Sequence, residues 1–500
     1  MRPGISKILA ACAAWGDKTA FLDCSGASLS FAQLHELSLR LGTAFRHMLK
    51  GATGRPIAVV TDRSVRCIPV LLGAALSGSF YVPLDGSLPE ARRRAMLAAI
   101  QPELVVGLAE GTSEAGFRYI SVDELYGTLP DADELPPVDG DMPLYGIFTS
   151  GSTGFSKLVL KSYAALKSFI KAYIDTFCFS ERDVLGSQIP FSFDASTKDL
   201  YTPLACGAST LIIDKGYFAQ PGRLAELLRD QRVTSIVWVP SALSMLSRFG
   251  VLGHISLPDL KRVLFVGEQM PVRQLNIWRE ALPDALFANL YGASENAGNC
   301  LYHVVEKSYG EDERIPLGKP FPGTQVLLLD EAGAIIPPDQ PDLQGELCIG
   351  GEILALSYYN DPEATASKFV PGPPGVGRIY HTGDLARYDE AGDLVFCSRR
   401  DHQIKLHGYR IELGDIECAA LACPGVDAAC CLFDPGKKKL TLCYAGASGE
   451  AALRTHLKGA LPAYMAPGSL VRLEKMPLNA NGKIDRVALA RLYCGGGDVP

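Results

Sequence analysis

The sequence lacks the features that mark several common protein classes. It has no Cys-x-x-Cys pair among its 14 cysteines and no His-x-x-x-His pair among its 8 histidines, which leaves zinc ribbons, thioredoxin-like sites and helical two-histidine metal sites unsupported. No apolar run of about 18 residues occurs, and we therefore predict no membrane span. No run of like charges reaches about five residues. With a net charge of -7, the composition gives no reason to expect a nucleic-acid partner.

The composition is that of a globular chain. Hydrophobic residues make up 47% of the sequence and charged residues 21%. At roughly 100–200 residues per domain, a chain of 500 residues is expected to contain more than one domain. We interpret the cysteines, including Cys418, Cys423, Cys430 and Cys431, as small buried apolar residues of a protein in a reducing compartment. The apolar run Ile8–Ala11 is too short for a signal peptide, and a first helix is expected there.

Short apolar runs alternate with helical stretches along most of the chain. The runs "RPIAVVTD" and "VTSIVWVP" are predicted strands, and "PEARRRAMLAAI" and "GRLAELLRDQ" are predicted helices. This alternation predicts an α/β fold with two doubly wound parallel sheets. Short strands with Glu-Ala-Gly turns predict a small β subdomain at about 315–400. We therefore expect a large N-terminal domain, 1–400, and a small α+β C-terminal domain, 401–500, with a hairpin between strands Ala428–Phe433 and Leu440–Tyr444.

The segment "TSGSTGFSK", Thr149–Lys157, has the composition of an anion-binding loop. Its two glycines let the backbone turn with N–H groups directed inward, and its hydroxyls add donors. Lys157 adds a positive charge. The segment is not a Walker A loop, because the spacing G-x-x-x-x-G-K-[ST] is absent. Taken alone, the same composition also suits a flexible linker.

Distant segments decide between these interpretations. They are "NLYGASE" (289–295), "YHTGDL" (380–385), "SRRDHQIKLHGYRIELGDIE" (398–417) and "NGKIDR" (481–486). In this order, together with the loop, they resemble the adenylate-forming (ANL) superfamily: nonribosomal-peptide adenylation domains, acyl-CoA synthetases and luciferases. The resemblance covers nearly the whole chain and is strongest to the amino-acid-activating branch, which includes stand-alone D-alanyl carrier ligases. It implies that the C-terminal domain is a mobile lid.

The resemblance implies that the chain uses ATP and Mg²⁺ to make an acyl-adenylate, with release of pyrophosphate. It assigns ATP binding to Thr149, Ser150, Gly151, Ser152, Thr153, Gly154, Lys157, Asn289, Tyr291, Gly292, Ser294, Asp384 and Arg399. Tyr291 is expected to stack on adenine and Asp384 to bind the ribose hydroxyls. Glu295 is expected to hold Mg²⁺, in keeping with the preference of that ion for oxygen ligands. Lys483 is expected to bridge the attacking carboxylate and the α-phosphate, as the main catalytic residue.

A second half-reaction is implied, in which the acyl group passes to a phosphopantetheine thiol. Asp401 matches the hinge of the C-terminal domain, and Gly408 matches a loop that lines the path of the thiol. Three residues depart from the family pattern: Ser156, Ser398 and His407. No carrier-type "GGxS" serine follows Arg486, and we therefore expect a separate carrier protein, or CoA, as the acceptor. We expect a cytoplasmic enzyme without a nucleic-acid or membrane partner.

The resemblance also gives a set of substrate-binding positions. Asp194 of "FDAS" is expected to bind the α-ammonium of an amino acid, and the side-chain pocket is expected to be formed by Ala195, Lys198, Val237, Leu264, Val266, Leu290, Gly298 and Asn299. Most of these are aliphatic. Lys198 suggests an acidic substrate such as glutamate or aspartate, since a buried ammonium needs a partner. The alternatives are a pair with Asp194 or Asp199, or a lysine directed to solvent, with a small amino acid such as alanine as the substrate.

Two other functions stay open from the sequence. One is an acyl- or aryl-CoA ligase. Asp194 argues against it, because an acyl pocket would not tolerate an unpaired buried carboxylate. The other is a catalytically silent binding protein on the same fold, against which the joint presence of Glu295, Asp384 and Lys483 speaks.

Overall fold

A computed structural model describes most of the chain, in two compact units. The described residues are Leu9 and the ranges 12–107, 116–136, 138, 140–149, 157–310, 313–341, 343–400, 403–477 and 484–494. The first unit consists of 1–86, 100–148 and 158–397, and the second of 87–99, 149–157 and 398–500. The domain boundary expected at residue 400 stays a prediction, because the second unit begins near that point but also takes in two earlier segments.

The elements of the first unit alternate between strands and helices through its first 300 residues. Its strands are β1 Thr19–Asp23, β2 Ser28–Ser30, β3 Pro56–Thr61, β4 Phe80–Asp85, β5 Leu104–Gly107, β6 Tyr119–Ser121, β7 Pro143–Thr149, β8 Lys157–Ser162, β9 Val184–Ser187, β10 Ser209–Ile212, β11 Ser235–Trp238, β12 Arg262–Val266, β13 Leu286–Tyr291, β14 Leu301–Val304, β15 Lys319–Pro320, β16 Thr324–Leu329, β17 Gln344–Gly351, β18 Ser357–Tyr358, β19 Phe369–Pro371, β20 Arg378–Tyr388 and β21 Leu394–Arg399.

The helices follow the same order. They are α1 Phe31–Met48, α2 Cys67–Leu76, α3 Glu90–Ile100, which lies almost wholly in the second unit, α4 Val122–Gly127, α5 Tyr163–Phe177, α6 Thr197–Cys206, α7 Pro221–Asp230, α8 Pro240–Arg248, α9 Val272–Ala281 and α10 Pro362–Lys368. Local chemistry fixes several helix starts. Ser30 and Gln33 form a capping box before α1, and the Ser162 hydroxyl accepts a hydrogen bond from the Ala165 N–H at the start of α5. In the described part of the chain, no helix is long and apolar enough to cross a membrane.

Three sheets organise the first unit. One has nine strands in the order β15-β14-β13-β12-β11-β9-β10-β1-β2, and another has seven in the order β18-β8-β7-β4-β3-β5-β6. Their central pairs are parallel, and every residue of β3 is buried, as a strand covered on both faces requires. The third sheet, β16-β17-β20-β19 with β21 beside β20, is mainly antiparallel. The α/β fold class, with two doubly wound sheets and a small β subdomain, is confirmed.

The second unit is an α+β assembly around its own core. Its later elements are β22 Gln403–Leu406, β23 Tyr409–Glu412, α11 Leu413–Leu421, β24 Val426–Asp434, β25 Lys439–Gly446, α12 Glu450–Ala460, β26 Ser469–Leu473 and α13 Arg486–Tyr493. β24 and β25 form the predicted antiparallel hairpin, and β26 joins β25 in parallel. Cys430 and Cys431 are buried as expected, whereas the same expectation is wrong for Cys418 on α11 and for Cys178 in the first unit, which are both exposed.

Candidate active site

The predicted phosphate loop joins two neighbouring strands. Thr149 ends β7 and Lys157 begins β8, and the Thr149 hydroxyl donates a hydrogen bond of 3.4 Å to the carbonyl oxygen of Lys157. Ser150, Gly151, Ser152, Thr153, Gly154 and the departure Ser156 lie outside the described residues. The structure therefore supplies the two ends of the loop, and anion binding by the loop itself stays a prediction.

Two residues predicted to bind the nucleotide meet in the first unit. Tyr291, the last residue of β13, donates a hydrogen bond from its hydroxyl to the carboxylate of Asp384 on β20. Asp384 is buried, and its backbone N–H donates to the Thr382 hydroxyl at 3.0 Å. The Thr382 hydroxyl in turn donates to the carbonyl oxygen of Leu347 at 2.7 Å. A chain of hydrogen bonds thus fixes Asp384 between β13 and β17.

The other predicted ATP-binding residues are less closely grouped. Asn289 donates a hydrogen bond of 2.7 Å from its side-chain amide to the Pro316 carbonyl oxygen, which uses one of its two amide N–H donors. Gly292 and Ser294 follow β13, and Gly292 approaches Gly298 so closely that a Cβ would lie 2.6 Å from its carbonyl oxygen. Arg399 is the last residue of β21.

Glu295, which follows Ser294 in the chain, is a buried carboxylate. The Tyr358 hydroxyl donates a hydrogen bond of 2.9 Å to Glu295 Oε1. A carboxylate held in this way is an oxygen donor of the kind that Mg²⁺ prefers, so the residue fits the predicted metal role chemically. A second group of possible ligands was not anticipated: Glu346, Cys348 and His381 have ligand atoms within 4.8 Å of one another. His381 Nδ1 lies 3.1 Å from Glu346 Oε2, so hydrogen bonding already accounts for this group.

Asp194, the predicted ammonium-binding residue, begins a short 3₁₀ turn, Asp194–Ser196, ahead of α6. It is buried, and it forms an ion pair with the ammonium of Lys161 on β8. The Tyr145 hydroxyl donates to its Oδ1 at 2.8 Å, and the Gly298 N–H donates to its Oδ2 at 2.9 Å. The premise of an unpaired buried carboxylate is therefore wrong. Asp194 no longer argues against a CoA ligase on that ground.

Lys161 and Tyr145 were missed by the sequence reasoning. Lys161 is fully buried, its ammonium also donates to the Asn296 carbonyl oxygen at 2.8 Å, and it lies 5.5 Å from the centroid of the Tyr145 ring. A signal did exist: the strand "KLVLKS" carries a lysine at its fifth position, and a lysine in a buried strand needs a partner. Burial lowers the pKa of Lys161, against the opposing effect of Asp194 and Glu295.

Lys198, on α6, is also fully buried, which excludes the alternative of a lysine directed to solvent. Its ammonium donates a hydrogen bond of 3.0 Å to Asn299 Oδ1, which brings two predicted pocket residues together. Burial lowers the pKa of Lys198 to about 8, although the neighbouring charges of Asp199 and Asp194 oppose the change. Burial raises the pKa of Asp199 to about 6. The positive charge of Lys198 is thus stabilised within the protein, by the hydrogen bond to Asn299 and by the nearby charge of Asp199.

The predicted aliphatic pocket residues share one face of the nine-stranded sheet. Val237 on β11 is paired with Leu264 on β12, and Val266 on β12 is paired with Leu290 on β13. Because side chains two residues apart on a strand point the same way, these four form one buried apolar wall. Ala195 is partly exposed. Gly298 has a φ of 64°, and a Cβ there would lie 2.1 Å from the Phe169 ring, so no side chain fits.

Residues expected to serve the second half-reaction lie in the second unit. Gly408 and His407 form the two-residue turn between β22 and β23, with φ angles of 79° and 51°. Positive φ at both positions suits a tight hairpin, which glycine adopts without strain. His407, one of the departures from the family pattern, therefore occupies a constrained turn. Asp401 and Lys483 lie outside the described residues.

Comparisons with known proteins agree on one family. The family model described as "AMP-binding enzyme" matches residues 9–359. The chain is 35% identical over 468 residues to L-proline--[L-prolyl-carrier protein] ligase of Streptomyces coelicolor, covering 87% of this chain and 86% of that ligase. It is 34% identical over 473 residues to bacitracin synthase 3 of Bacillus licheniformis, covering 92% of this chain but only 7% of the synthase.

Solved structures give the same answer. The chain superposes with a TM-score of 0.86 and 29% identity on holo-PA1221, a protein with adenylation and PCP domains bound to a vinylsulfonamide inhibitor, over 98% of this chain and 84% of that one. It also superposes on a second structure of PA1221, with a TM-score of 0.82 and 27% identity, over 98% of this chain and 97% of that one. By the family match over more than half its length and by its similarity to these ligases, this chain is a member of the AMP-binding enzyme family, the AMP-forming ligases and synthetases.

Proposed function

We propose that this enzyme activates an amino acid with ATP as an aminoacyl-adenylate, releases pyrophosphate, and passes the acyl group to the phosphopantetheine thiol of a separate carrier protein. The observation that carries the adenylation step is the contact between Tyr291 and Asp384, two predicted nucleotide-binding residues that are 93 positions apart. The named activity of the Streptomyces coelicolor relative, a ligase that acts on proline and its carrier protein, supports the substrate class and the acceptor.

The chemistry requires positive charge at the reacting atoms. A carboxylate attacks the α-phosphate of ATP, and both groups are negative, so catalysis depends on fixed charge and on positioning. We assign Lys157 to the departing phosphates and Lys483 to the attacking carboxylate and the α-phosphate. Glu295 would hold Mg²⁺, which supplies further positive charge against the phosphate oxygens. Asp384 accepts hydrogen bonds from the ribose hydroxyls, and Tyr291 both lies against adenine and orients Asp384.

The second half-reaction needs access for a thiol. We assign the hinge to Asp401 and the path of the thiol to the turn that contains Gly408. The similarity to a protein with adenylation and PCP domains supports a carrier protein over CoA. Because the reaction uses ATP and a free thiol, we propose a cytoplasmic location.

The geometry favours a small, uncharged substrate side chain over an acidic one. The wall formed by Val237, Leu264, Val266 and Leu290 is apolar, and Lys198 is balanced by Asn299 and Asp199 inside the protein. An acidic amino acid such as glutamate is the second candidate. One observation favours it: an ammonium has three protons to donate, and Asn299 accepts one from Lys198.

The experiment that tests the proposal is acid-dependent exchange of labelled pyrophosphate into ATP. The wild type is expected to catalyse exchange, and Lys483→Ala is expected to reduce it by about a hundredfold or more, as removal of a single group that stabilises transition-state charge does. Lys167→Ala, at an exposed position on α5, is the matched control and is expected to retain exchange. Equal exchange by Lys483→Ala and the wild type would contradict the assignment of Lys483.

A further inference from the structure

The first unit contains a buried cluster of four charged side chains. Its members are Lys161, Asp194, Lys198 and Asp199, and each is buried. They come from two regions of the unit, because Lys161 lies on β8 of the seven-stranded sheet and the other three lie at or near the start of α6. Two positive and two negative charges balance formally. Burial of such groups is tolerated only when each has a partner.

The two oxygens of Asp194 already receive donors from the protein. Lys161 and the Tyr145 hydroxyl both contact Oδ1, and the Gly298 N–H contacts Oδ2. One of these donors is a full positive charge. A carboxylate that binds one ammonium in a buried site has its charge neutralised, and a second ammonium beside it would face Lys161 as a like charge.

Lys161 is held in place independently of Asp194. Its ammonium donates to the Asn296 carbonyl oxygen at 2.8 Å and lies over the Tyr145 ring, whose centroid is 5.5 Å away. The backbone of β8 fixes the base of the side chain by pairing with β18, where Leu160 is paired with Ser357. Among the described residues, Asp194 is the only carboxylate within ion-pair distance of Lys161. If Lys161 moved away from Asp194, it would lose this ion pair.

We infer that Lys161 occupies the position at Asp194 that a substrate ammonium would otherwise take, and that the site selects a carboxylic acid without an ammonium on the carbon next to its carboxylate. Acids of this class include β- and γ-amino acids and hydroxy acids. The inference rests on the proposed adenylation step and replaces an α-amino acid with an acid of this class as the substrate. It makes Lys161 a specificity-determining residue.

The test compares acids that carry an ammonium on the α-carbon with acids of similar size that do not. Pyrophosphate exchange by the wild-type enzyme is measured with alanine, lactate, propionate and β-alanine, and with glutamate, 2-hydroxyglutarate and glutarate. We expect kcat/KM for the best acid without an α-ammonium to exceed that of its α-amino counterpart by about tenfold or more, the size of effect produced by a like charge in a buried site. Preference for the α-amino member of each set would overturn the inference and leave the proposed adenylation intact. Exchange with none of these acids and with none of the twenty amino acids would overturn both.

Variants at Lys161 separate a specificity role from a purely structural one. Lys161→Met removes the cation that is ion-paired with Asp194, and we expect the preference of this variant to shift toward the α-amino acid of each set. Lys171→Met changes an exposed lysine that is paired with Asp175, and we expect it to keep the wild-type preference.

A folding failure does not end the test. If Lys161→Met does not fold, the double variant Lys161→Met with Asp194→Asn removes both charges of this ion pair together, so that neither is left without the other. In this double variant, kcat/KM for acids with and without an α-ammonium is expected to become more nearly equal. A wild-type preference in either Lys161 variant would show that Lys161 only supports the fold.

Discussion

The hydroxyl of Tyr291 donates a hydrogen bond to the carboxylate of Asp384, which joins the end of β13 in the nine-stranded sheet to β20 in the small antiparallel sheet. Both side chains are buried. A buried carboxylate is stabilised by such a donor, and its position is fixed by it. The pair therefore connects two parts of the first unit at the place where the sequence predicts the nucleotide.

Replacement of Asp384 tests the predicted ribose contact. Asp384→Ala removes an acceptor for two hydroxyl groups, and we expect KM for ATP to rise by about 10- to 100-fold, the range for hydrogen bonds to a charged group. Tyr291→Phe keeps the ring and loses only the donor to Asp384, so a smaller rise is expected. Steady-state kinetics with varied ATP gives both values. A KM for ATP unchanged in Asp384→Ala would contradict the contact.

Lys198 gives a prediction about the substrate side chain. If the positive charge of Lys198 is offset within the protein, this lysine does not select an acidic substrate. Lys198→Met is then expected to change the ratio of exchange with glutamate to exchange with β-alanine by less than about threefold, although the variant loses the hydrogen bond to Asn299. The exchange assay with all candidate acids measures the ratio, and Lys167→Met serves as the control at an exposed position. A selective loss of glutamate or aspartate activity would favour the acidic substrate.

Asp183 links stability to pH. Burial opposes its ionisation, but the Ser180 N–H and Arg262 outweigh burial and lower the pKa of Asp183. The ionised form accepts hydrogen bonds from Arg262 at 2.7 Å and from Thr234 at 2.9 Å. Because the folded-state pKa is lowered, the stabilisation is fully present above the unfolded-state pKa of about 3.9 and is lost as the pH falls through the folded-state pKa.

Asp183→Asn is therefore expected to reduce the free energy of unfolding of the first unit by about 1.5–3 kcal/mol at neutral pH. The difference from the wild type is expected to shrink as the pH falls below about 4. Urea unfolding followed at several pH values measures it. Asp175→Asn, which breaks an exposed pair with Lys171, is expected to cost less than about 1 kcal/mol. A cost for Asp183→Asn that does not change with pH would exclude the ionic explanation.

Arg486 is expected to fix the start of α13 in the second unit. It contacts both carboxylate oxygens of Glu417, at 2.5 and 2.6 Å, and donates to the Cys431 carbonyl oxygen at 3.1 Å. Arg486→Met leaves Glu417 without this cation, and we expect a loss of about 2–3 kcal/mol in the stability of the unit. Limited proteolysis is expected to cut this variant faster than Arg491→Met, an exposed change on the same helix. Equal cleavage of the two variants would contradict the role of Arg486.

Local patterns in the sequence were sufficient to predict the fold. The strand Pro56–Thr61 is apolar throughout and is buried on both faces, and the hairpin of β24 and β25 follows from a Gly-containing turn between two apolar runs. The resemblance named Val237, Leu264, Val266 and Leu290, which share one buried face of the nine-stranded sheet, and their role in a substrate pocket stays a prediction. In each of these cases, the information lies in the residues of one segment or in a motif of fixed spacing.

Pairings between segments could not be predicted in this way. Lys161 lies on β8 of the seven-stranded sheet and Asp194 in the 3₁₀ turn ahead of α6, and neither local sequence indicates that the two residues pair. The carboxylate was therefore expected to be available for a substrate ammonium, whereas the structure pairs it with the Lys161 ammonium. Cys418 shows the same limit on a smaller scale, because only the packing of α11 determines that this cysteine is exposed.

The central claim is that this chain makes an acyl-adenylate from ATP and a carboxylic acid. The most direct test is exchange of labelled pyrophosphate into ATP by the purified wild-type protein with Mg²⁺, with each of the twenty amino acids, β-alanine and the deaminated acids supplied one at a time. We expect exchange that depends on the acid and that is strongly reduced in Lys483→Ala. Absence of exchange with every acid, or exchange that does not depend on the acid, would contradict it.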